Sequence, residues 1–385
     1  MNIGIDARLY GVYHRGIGRY TEQLILGLSK LKDDNRYTLF MRPKEAQTFN
    51  LDKAKFKIII THTPHYSIKE HFIMPQLIRK SKVDIMHFPH LNVPIWCPIS
   101  YIVTIHDLIV YHFPDTRATN LPNWKYKIKV LLYNFVLKNA VKKAKKIITV
   151  SEFTKRDIVK NLEIDEKKIN VTYLGVDKML LHTNIMQNTP QFTQVLEDKF
   201  KIKKKYLLYV GSAYPHKNLE KLIDAYKIIR TEHERNWQLV LVGREDEFYR
   251  RLKDYVEKNI DNNLKKDILF TGQVNDKDLD GLYRGAKLFV FPSLYEGFGL
   301  PPLEAESRAT AVACSKASCL PEVLGDSAYY FDPKDTNAMA RAIDKSAGSH
   351  SINDELCSRG LERAKLFSWE EMTRKTADIY SSLFG

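Results

Sequence analysis

FVFPSLYEGFGLPPLEAES, residues Phe289 to Ser307, is the segment that most clearly indicates how this chain folds. Its first three residues are typical of a buried strand, the glycines that follow suit a turn, and the paired prolines suit the first turn of a helix. A strand, a loop and a helix in this order form the repeating unit of parallel α/β sheets. Ligands bind beyond the carboxyl ends of such strands, so this loop is the first candidate for a binding site.

Two carboxylates give this segment its chemistry. Glu296 lies in the loop, and Glu304, eight positions later, is expected in the first helical turn. Each carboxylate can accept two hydrogen bonds from a vicinal diol, which sugars and riboses provide. Gly297 and Gly299 let a ligand approach the backbone, and the helix N-terminus favours an anion. Glu304 alone would be ordinary complementation of the helix dipole, but the whole segment predicts a site for hydroxyls and phosphate.

The composition describes a globular protein of two domains. The chain has 385 residues, of which 44% are hydrophobic and 28% charged, and it is long for one core. It contains no run of about 18 apolar residues and begins without the apolar stretch of a signal peptide, so we expect a cytoplasmic protein. The four cysteines lack CxxC or zinc spacing and are expected to be reduced thiols: Cys97, Cys314, Cys319 and Cys357.

Short apolar runs alternate with helical segments along most of the chain, which is typical of α/β proteins. The polar stretch 178–205 loses this periodicity and is expected to link two domains, residues 1–200 and 201–367. At the end, Ser368 and Glu371 have the spacing of a helical capping box. The predicted strands are 2–6, 37–41, 56–60, 83–88, 100–105, 146–150, 206–210, 238–243, 268–274 and 287–291.

The loop after the first strand offers a second candidate site for an anion. Gly16, Ile17 and Gly18 precede a helix expected from about Arg19, and glycines at a helix start suit phosphate. A dinucleotide-binding fingerprint is not matched, because Thr21 stands where its third glycine belongs.

Histidines follow two other predicted strands. His106 and Asp107 stand where a buried strand ends. His106 could therefore donate a hydrogen bond to a sugar hydroxyl or a leaving-group oxygen, although a lone histidine at a strand end is often structural. His90 lies past the end of the preceding strand and could face a sugar acceptor.

Three patterns resemble metal sites without completing one. The HxxH pairs at 62–65 and 87–90 have no nearby carboxylate or cysteine to finish a ligand set. The DxD at 278–280 looks like the acidic first turn of a helix. We therefore expect polar residues here rather than a metal centre.

The second half of the chain adds a cation and a strand-end loop. Lys217 stands at the start of a helix expected near Asn218, where its charge and the helix amides could meet a diphosphate. The predicted strand at 268–274 ends in a glycine-containing turn whose backbone could hold a nucleotide base. The residues of that turn are Gly272, Gln273 and Val274.

The net charge of +14 calls for an acidic partner or surface. The densest basic run, Leu121 to Lys146, has eight lysines and no acid, and its apolar residues recur at helical spacing. An amphipathic helix with a lysine-rich face over Lys125 to Lys146 could contact an anionic membrane, or it could be a core helix with a solvated face. The aromatic-interleaved motifs of RNA binders are not evident, so no nucleic acid is expected. The apolar residues at helical spacing are Trp124, Ile128, Leu131, Leu132 and Phe135.

Several motifs in one order resemble the retaining nucleotide-sugar glycosyltransferases of family 4. They are RGIGRYT, the HD pair at 106–107, VSEFTKRD, YVGSAYPHKN, the segment with both glutamates, and LPEVLGDSAYYFDP. The resemblance implies the GT-B fold, in which two Rossmann-like parallel-sheet domains face a central cleft. It also implies that 1–200 is the acceptor-side domain, that 201–367 binds the donor, and that the terminal helix, 368–385, crosses back to the first domain.

The resemblance is greatest to the subset that builds bacterial surface polysaccharides such as O-antigen. It implies transfer of a sugar, with mannose from GDP-mannose as the best guess, to a glycan or lipid-linked acceptor, without metal or cofactor. It assigns His106, Glu296 and Lys217 to catalysis, with Glu296 favoured as a ligand rather than a nucleophile. The implied donor-binding residues are Gly16, Ile17, Gly18, Ser212, Lys217, Gly272, Gln273, Val274, Glu296, Gly297, Phe298, Gly299, Leu300 and Glu304, and the acceptor-binding ones are His90 and Asp107.

The chain also departs from the family pattern. Ser212 stands where many relatives have arginine, and LEAESRATAV stands where LEAMACGTPV is common, so that Ala309 and Ala311 replace glycine and proline. If that turn needs positive φ, Ala309 carries a cost. Alternatives therefore stay open: a UDP-sugar donor, a sugar-nucleotide epimerase or hydrolase, or a non-catalytic basic binding module.

Overall fold

The protein is described from a computed structural model, which covers residues 1–11, 15–47, 49–52, 54–114, 122–176 and 190–383. The chain divides into two compact units. Unit 1 comprises the described residues of Met1–Pro114, Leu121–Gly175 and Ser368–Gly385, and unit 2 those of Val176–Phe367.

Unit 1 is built on a seven-stranded sheet in which all pairings are parallel, in the order β3-β2-β1-β4-β5-β6-β7. Most side chains of its strands are buried, which is why they are continuous apolar runs. Strand β1 lies centrally, and the order reverses beside it, where ligands bind in open sheets of this type. The strands are β1 (Asn2–Asp6), β2 (Arg36–Met41), β3 (Phe56–Ile60), β4 (Ile85–Phe88), β5 (Tyr101–Ile105), β6 (Lys146–Thr149) and β7 (Ile169–Val171).

Helices connect these strands and cover the sheet. A buried cluster that includes Phe40, Met86, Val103 and Leu137 joins the sheet to its helices. The helices are α1 (Arg15–Lys30), α2 (Pro43–Gln47), α3 (Glu70–Ser81), α4 (Ile109–His112), α5 (Asn123–Lys143) and α6 (Glu152–Leu162).

Unit 2 has a six-stranded parallel sheet in the order β10-β9-β8-β11-β12-β13. Its strands are β8 (Tyr206–Val210), β9 (Gln238–Val242), β10 (Ile268–Gly272), β11 (Leu288–Phe291), β12 (Val312–Ser315) and β13 (Ala328–Phe331). Its helices are α7 (Pro190–Phe200), α8 (Leu219–Thr231), α9 (Glu247–Asn259), α10 (Asn262–Lys265), α11 (Asp276–Gly285), α12 (Leu300–Glu306), α13 (Leu320–Leu324), α14 (Thr336–Gly348) and α15 (His350–Ala364).

The last helix, α16 (Trp369–Ser381), belongs to unit 1. Its N-cap hydroxyl, on Ser368, accepts from the backbone N–H of Glu371 at 3.1 Å. It packs against α1, and its Tyr380 hydroxyl hydrogen-bonds Nδ1 of His87 on β4 at 2.6 Å. The predicted return of the chain to the first domain is confirmed.

The structure corrects two predictions about secondary structure. The polar stretch predicted as a linker contains α7, and its residues 178–189 lie outside the described part of the chain. The stripe from Trp124 to Phe135 on α5 was expected to oppose a lysine-rich outer face, yet all five of its large apolar residues are exposed. The buried side of α5 is formed instead by Tyr126, Leu137 and Val141.

All four cysteines have free thiols, as predicted. Over the described residues, no helix combines the length and the apolar content that crossing a bilayer requires.

Candidate functional site

The segment from Phe289 to Ser307 forms most of β11, a loop and α12, as predicted. Gly299 is the N-cap of α12 with a φ of 86°, a backbone conformation that favours glycine. Glu296 lies in the loop and is 8% exposed, and Glu304 is 7% exposed. Since α12 begins at Leu300, Glu304 is its fifth residue and lies just past the first turn in which it was expected.

Glu296 forms an ion pair with Lys217, whose Nζ lies 2.5 Å from Oε1 of the carboxylate. Lys217 ends a short 3-10 turn, Pro215–Lys217, between β8 and α8. Strands β8 and β11 are neighbours in the sheet, so the loops that follow them meet at one edge. The backbone N–H of Leu294 donates to the carbonyl of His216 at 2.8 Å and ties the two loops together.

Two further contacts hold this pair in place. The backbone N–H of Glu296 donates to the hydroxyl of Ser318 at 2.9 Å. Asn218 bridges the same loops by donating from its side-chain amide to the carbonyl of Pro292 at 3.2 Å. Sequence reasoning did not single out Ser318 or Asn218 as site residues. The structure thus brings together a cation and a carboxylate that the sequence placed 79 positions apart.

Glu304 is held by a separate group of side chains. The hydroxyl of Tyr283 on α11 donates to its Oε2 at 3.1 Å. The guanidinium of Arg308 lies 5.1 Å from the centre of the Tyr283 ring and donates to the carbonyl of Glu304 at 2.8 Å. Arg308 also donates from Nε to Asp280 at 2.9 Å. Arg308 lies in LEAESRATAV, the segment that departs from the family pattern, and nothing in the sequence pointed to Tyr283.

The DxD is used structurally, as predicted. Asp278 and Asp280 lie in α11, and Asp280 pairs with Arg284 and Arg308. Among the described residues, no group of three His, Cys, Asp or Glu side chains could hold a metal ion. Independence of a metal is a property of the reaction and stays a prediction.

Other predicted donor residues take varied positions in unit 2. Gly272 has a φ of 73°, and Gln273 and Val274 line a cavity of about 670 Å³ beside β10. The carbonyl of Ser212 accepts from the Tyr209 hydroxyl at 2.8 Å. The Phe298 ring is buried edge-to-face against Phe367, with ring centres 5.7 Å apart. Gly297 lies in the loop two residues before Gly299, and Leu300 is the first residue of α12.

Gly16, Ile17 and Gly18 lie inside the first turn of α1, because this helix begins at Arg15 rather than near Arg19 as predicted. Gly16 is exposed, and a Cβ added there would have no atom within 4 Å. The protein's own packing therefore does not require this glycine, which leaves room for a ligand to approach the backbone.

His106 is positioned differently from the prediction. Its Nε2–H donates to the carbonyl of Pro89 at 2.9 Å, and its ring packs edge-to-face on Tyr20. Burial lowers the pKa of His106 to about 4, so the ring is neutral near pH 7 with its proton on Nε2. Its Nδ1 is then an acceptor, and the ring can accept a hydrogen bond from a sugar hydroxyl rather than donate one.

The acceptor candidates His90 and Asp107 are also in unit 1. The Tyr66 hydroxyl lies 2.9 Å from Nε2 of His90, and burial beside His106 lowers the His90 pKa to about 3. Asp107 accepts from the backbone N–H of Ile109 at 2.9 Å at the start of α4.

Members of both HxxH pairs have hydrogen-bond partners within unit 1. His87 is fully buried between Tyr380 and Thr104, and His65 donates to the carbonyl of Arg8 at 3.0 Å. That these pairs are polar residues rather than a metal centre stays a prediction.

A buried charge network beneath His90 was missed by sequence reasoning. Arg8 is fully buried and pairs with Asp6 and with Glu70. Asp6, His65 and His90 line one small pocket at the carboxyl ends of β1 and β4. The charges directly after the first strand, in DAR, were the available signal.

Comparison with known proteins supports the resemblance over both units. The family model "Glycosyltransferase Family 4" matches residues 14–179, and "Glycosyl transferases group 1" matches residues 193–356. "O-antigen chain mannosyltransferase B" of Escherichia coli is 31% identical over 309 residues, which is 80% of this chain and 76% of that protein.

Solved structures share the fold at low identity. Sucrose-phosphate synthase from Thermosynechococcus elongatus has a TM-score of 0.76 and 20% identity, covering 100% of this chain and 99% of that one. Anabaena HepE in complex with UDP and glucose has a TM-score of 0.74 and 15% identity, covering 99% of each chain. With the paired sheets described above and the family models matched in both halves, this chain belongs to glycosyltransferase family 4 and has the GT-B fold.

Proposed function

We propose that this glycosyltransferase transfers mannose from GDP-mannose, with retention of configuration, to a glycan or lipid-linked acceptor during surface polysaccharide assembly. Family membership and the mannosyltransferase name of the relative from Escherichia coli support the proposal. The observation that carries it is the pair of Lys217 and Glu296 at neighbouring strand ends. A cation for a diphosphate and an acceptor for sugar hydroxyls lie in one place.

Lys217 supplies the electrostatic part of the reaction. When the bond between the sugar carbon and the diphosphate oxygen breaks, negative charge grows on the diphosphate and positive charge on the sugar. An ammonium group that is largely shielded from water stabilises that negative charge well. The carboxylate of Glu296 balances the positive charge of Lys217. A bound diphosphate would therefore share the ammonium group of Lys217 with that carboxylate. No metal or cofactor is part of the proposal.

The two glutamates bind hydroxyls of different parts of the donor. Glu296 is proposed to accept from the sugar and Glu304 from the ribose diol, which matches the bidentate capacity of a carboxylate. Tyr283 fixes the orientation of Glu304, and this preorganisation lowers the entropy lost on binding. The turn at Gly272, Gln273 and Val274 is proposed to hold the base.

Unit 1 is proposed to contribute His106 to the donor sugar and His90 and Asp107 to the acceptor. Because the neutral His106 ring presents Nδ1 as an acceptor, it would accept a hydrogen bond from a sugar hydroxyl. Gly16 offers exposed backbone at a helix start to phosphate, and Ile17 and Gly18 follow it in the same turn. The proposed location is the cytoplasm at an anionic membrane surface, with no nucleic acid partner.

A UDP-sugar donor is the main alternative, and the HepE neighbour was solved with UDP and glucose. A thermal-shift panel with GDP, UDP, GDP-mannose and UDP-glucose separates the two, since a ligand that binds only the folded state raises Tm. We expect the guanosine ligands to shift Tm. A shift with uridine ligands alone would replace the proposed donor. Turnover without any acceptor would indicate a hydrolase or epimerase, and no shift with any nucleotide would favour a binding module.

Variants of Lys217 and Glu296 test the proposal that these residues bind the diphosphate and the sugar. Lys217→Ala should weaken binding of the nucleoside diphosphate about ten- to hundredfold, because a charge-assisted contact is lost. Glu296→Gln should abolish transfer while the diphosphate still binds, measured by calorimetry and by product formation. Lys204→Ala is the matched control, since Lys204 also pairs with a carboxylate, that of Asp267, at 2.8 Å in unit 2. Equal affinities in Lys217→Ala and Lys204→Ala would contradict the phosphate role.

A further inference from the structure

Helix α5 exposes large apolar side chains on the face opposite its buried side. Its inner face, with Tyr126, Leu137 and Val141, packs into the core of unit 1. Its outer face carries five apolar residues that are 48–69% exposed. They are Trp124, Ile128, Leu131, Leu132 and Phe135.

The exposed stripe extends beyond α5. One turn after Phe135, the side-chain amide of Asn139 contacts the carbonyl of Ile95 at 3.5 Å, and Lys143 donates to the same carbonyl at 3.1 Å. The next residue, Trp96, is 60% exposed, and its ring lies 5.9 Å from that of exposed Phe72 on α3. Phe72 and Trp96, tied to α5 through the carbonyl of Ile95, and the five exposed residues of α5 are together named the apolar ridge: Phe72, Trp96, Trp124, Ile128, Leu131, Leu132 and Phe135.

Positive charge surrounds the apolar ridge on α5. Between Asn123 and Lys143 the sequence has six lysines and no Asp or Glu. Lys125 lies 5.3 Å from the ring of Trp124, so charge and aromatic surface are interleaved. All six lysines are exposed: Lys125, Lys127, Lys129, Lys138, Lys142 and Lys143.

We propose that the apolar ridge inserts into the interfacial layer of an anionic bilayer while the lysines bind its headgroups. Tryptophan and long aliphatic side chains beside lysines are the composition of helices that lie in a membrane interface. A second copy of the chain would bring two sets of six lysines together, which charge repulsion opposes. The lysines alone could hold the protein at an anionic membrane by electrostatic attraction. The exposed apolar residues are not needed for that, and they are the reason for proposing insertion as well.

This inference deepens the proposed function, because a lipid-linked acceptor resides at a bilayer. The inference rests on the proposed function only in giving membrane binding a purpose, which is access to a lipid-linked acceptor. Binding to vesicles requires neither donor nor acceptor, so a failure of the membrane test and a failure of the nucleotide test are distinguishable.

The chain carries its own reporters for this test. Of its four tryptophans, Trp96 and Trp124 belong to the apolar ridge, whereas Trp237 and Trp369 are only 7% and 5% exposed. Vesicles of equal phosphatidylglycerol and phosphatidylcholine should shift tryptophan emission to the blue, and brominated lipid should quench it. The double variant Trp96→Phe with Trp124→Phe should lose both signals, and vesicles of phosphatidylcholine alone should give little response.

Cosedimentation with the same vesicles separates insertion from charge. Leu131→Gln with Leu132→Gln should weaken vesicle binding at least about tenfold, because two leucines leave the interface. Leu366→Gln, at an equally exposed leucine in unit 2, is the matched control and should bind as the natural protein does. Unchanged binding of the double leucine variant, together with complete release by high salt, would overturn insertion.

Two other results would also overturn the proposal. The first is no vesicle binding by the folded protein. The second is a lipid-free dimer in sedimentation velocity that the leucine substitutions dissociate, which would identify the apolar ridge as an interface between copies of the chain.

Discussion

Tyr283 contacts three residues around the carboxylate of Glu304. Its hydroxyl contacts Glu304, its ring lies against Arg308, and its carbonyl accepts from the hydroxyl of Thr310 at 2.7 Å. Tyr283 is therefore a positioning residue for the carboxylate that we propose binds the ribose. Its loss should affect donor binding before it affects the chemical step.

Tyr283→Phe removes only that hydroxyl and keeps the ring under Arg308. We expect the KM for the donor to rise about tenfold with kcat little changed, because the lost hydrogen bond is to a charged group. Tyr206→Phe is the matched control, since its buried hydroxyl donates to the carbonyl of Leu282 at 2.8 Å and does not contact Glu304. If both variants show the same KM as the natural protein, Tyr283 has no positioning role.

For single residues, the sequence indicated candidate site residues but not the partners that they contact. Glu296, Glu304 and Lys217 were recognisable from residue type and from position at strand ends. The ion pair depends on β8 and β11 being neighbours, which no local pattern specifies. The tautomer of His106 depends on the carbonyl of Pro89, a backbone partner that the sequence does not reveal.

At the scale of elements, the end of α12 has the hydrogen bonds of a Schellman motif. The backbone N–H of Thr310 donates to the carbonyl of Ala305, and that of Ala309 donates to Glu306. The left-handed position of this motif is normally occupied by glycine, and here Ala309 occupies it with a φ of 57°. The turn does need positive φ, so this departure from the family pattern carries a conformational cost.

Ala309→Gly should therefore stabilise the protein by about 1 kcal/mol, because glycine adopts the left-handed conformation without steric strain. Chemical denaturation measures the change. Ala305→Gly, in the interior of the same helix, should lose about 1 kcal/mol or more. Similar losses in both variants would show that the strain at Ala309 is negligible.

The sequence predicted ten strands at nearly their observed positions, because continuous apolar runs are typical of buried parallel strands. It did not indicate β7, β12 or β13, which have only three or four residues each. The orientation of α5 was also not predictable. Both of its sides are apolar, so helical spacing alone could not show which side faces the core.

At the scale of the whole molecule, buried histidines and a buried glutamate give stability opposite dependences on pH. Burial lowers the pKa of His87, His90 and His216 to about 3. Burial raises the pKa of Glu306 to about 8, where Ser327 donates to one carboxylate oxygen. The other oxygen of Glu306, Oε2, is buried without a hydrogen-bond partner among the described residues.

These shifts predict that the free energy of unfolding has a maximum near pH 6.5. It falls at lower pH because of the histidines and at higher pH because of Glu306. The histidines take up protons near pH 6.5 once unfolded but resist protonation when folded, so stability falls as the pH drops from about 6.5 towards 3. Folded Glu306 keeps a proton that the unfolded chain releases above about pH 4.5, so its effect is a loss as the pH rises from there to about 8.

Glu306→Gln should remove the loss of stability that Glu306 causes as the pH rises. We expect its stability relative to the natural protein to increase by about 3–4 kcal/mol between pH 5 and pH 8, measured by denaturation at each pH. Glu362→Gln, at an exposed glutamate paired with Lys365, is the control. A difference between Glu306→Gln and the natural protein that does not vary with pH would mean that Glu306 is ionised in the folded state.

The return of α16 to unit 1 has a consequence for biosynthesis. Tyr380 meets His87 across 293 positions of chain, so a ribosome must translate all of unit 2 before unit 1 can receive its last helix. A premature stop codon just after unit 2 would therefore spare the later-made sheet and expose the earlier one. Quality-control proteases should then attack the half of the polypeptide that emerged first.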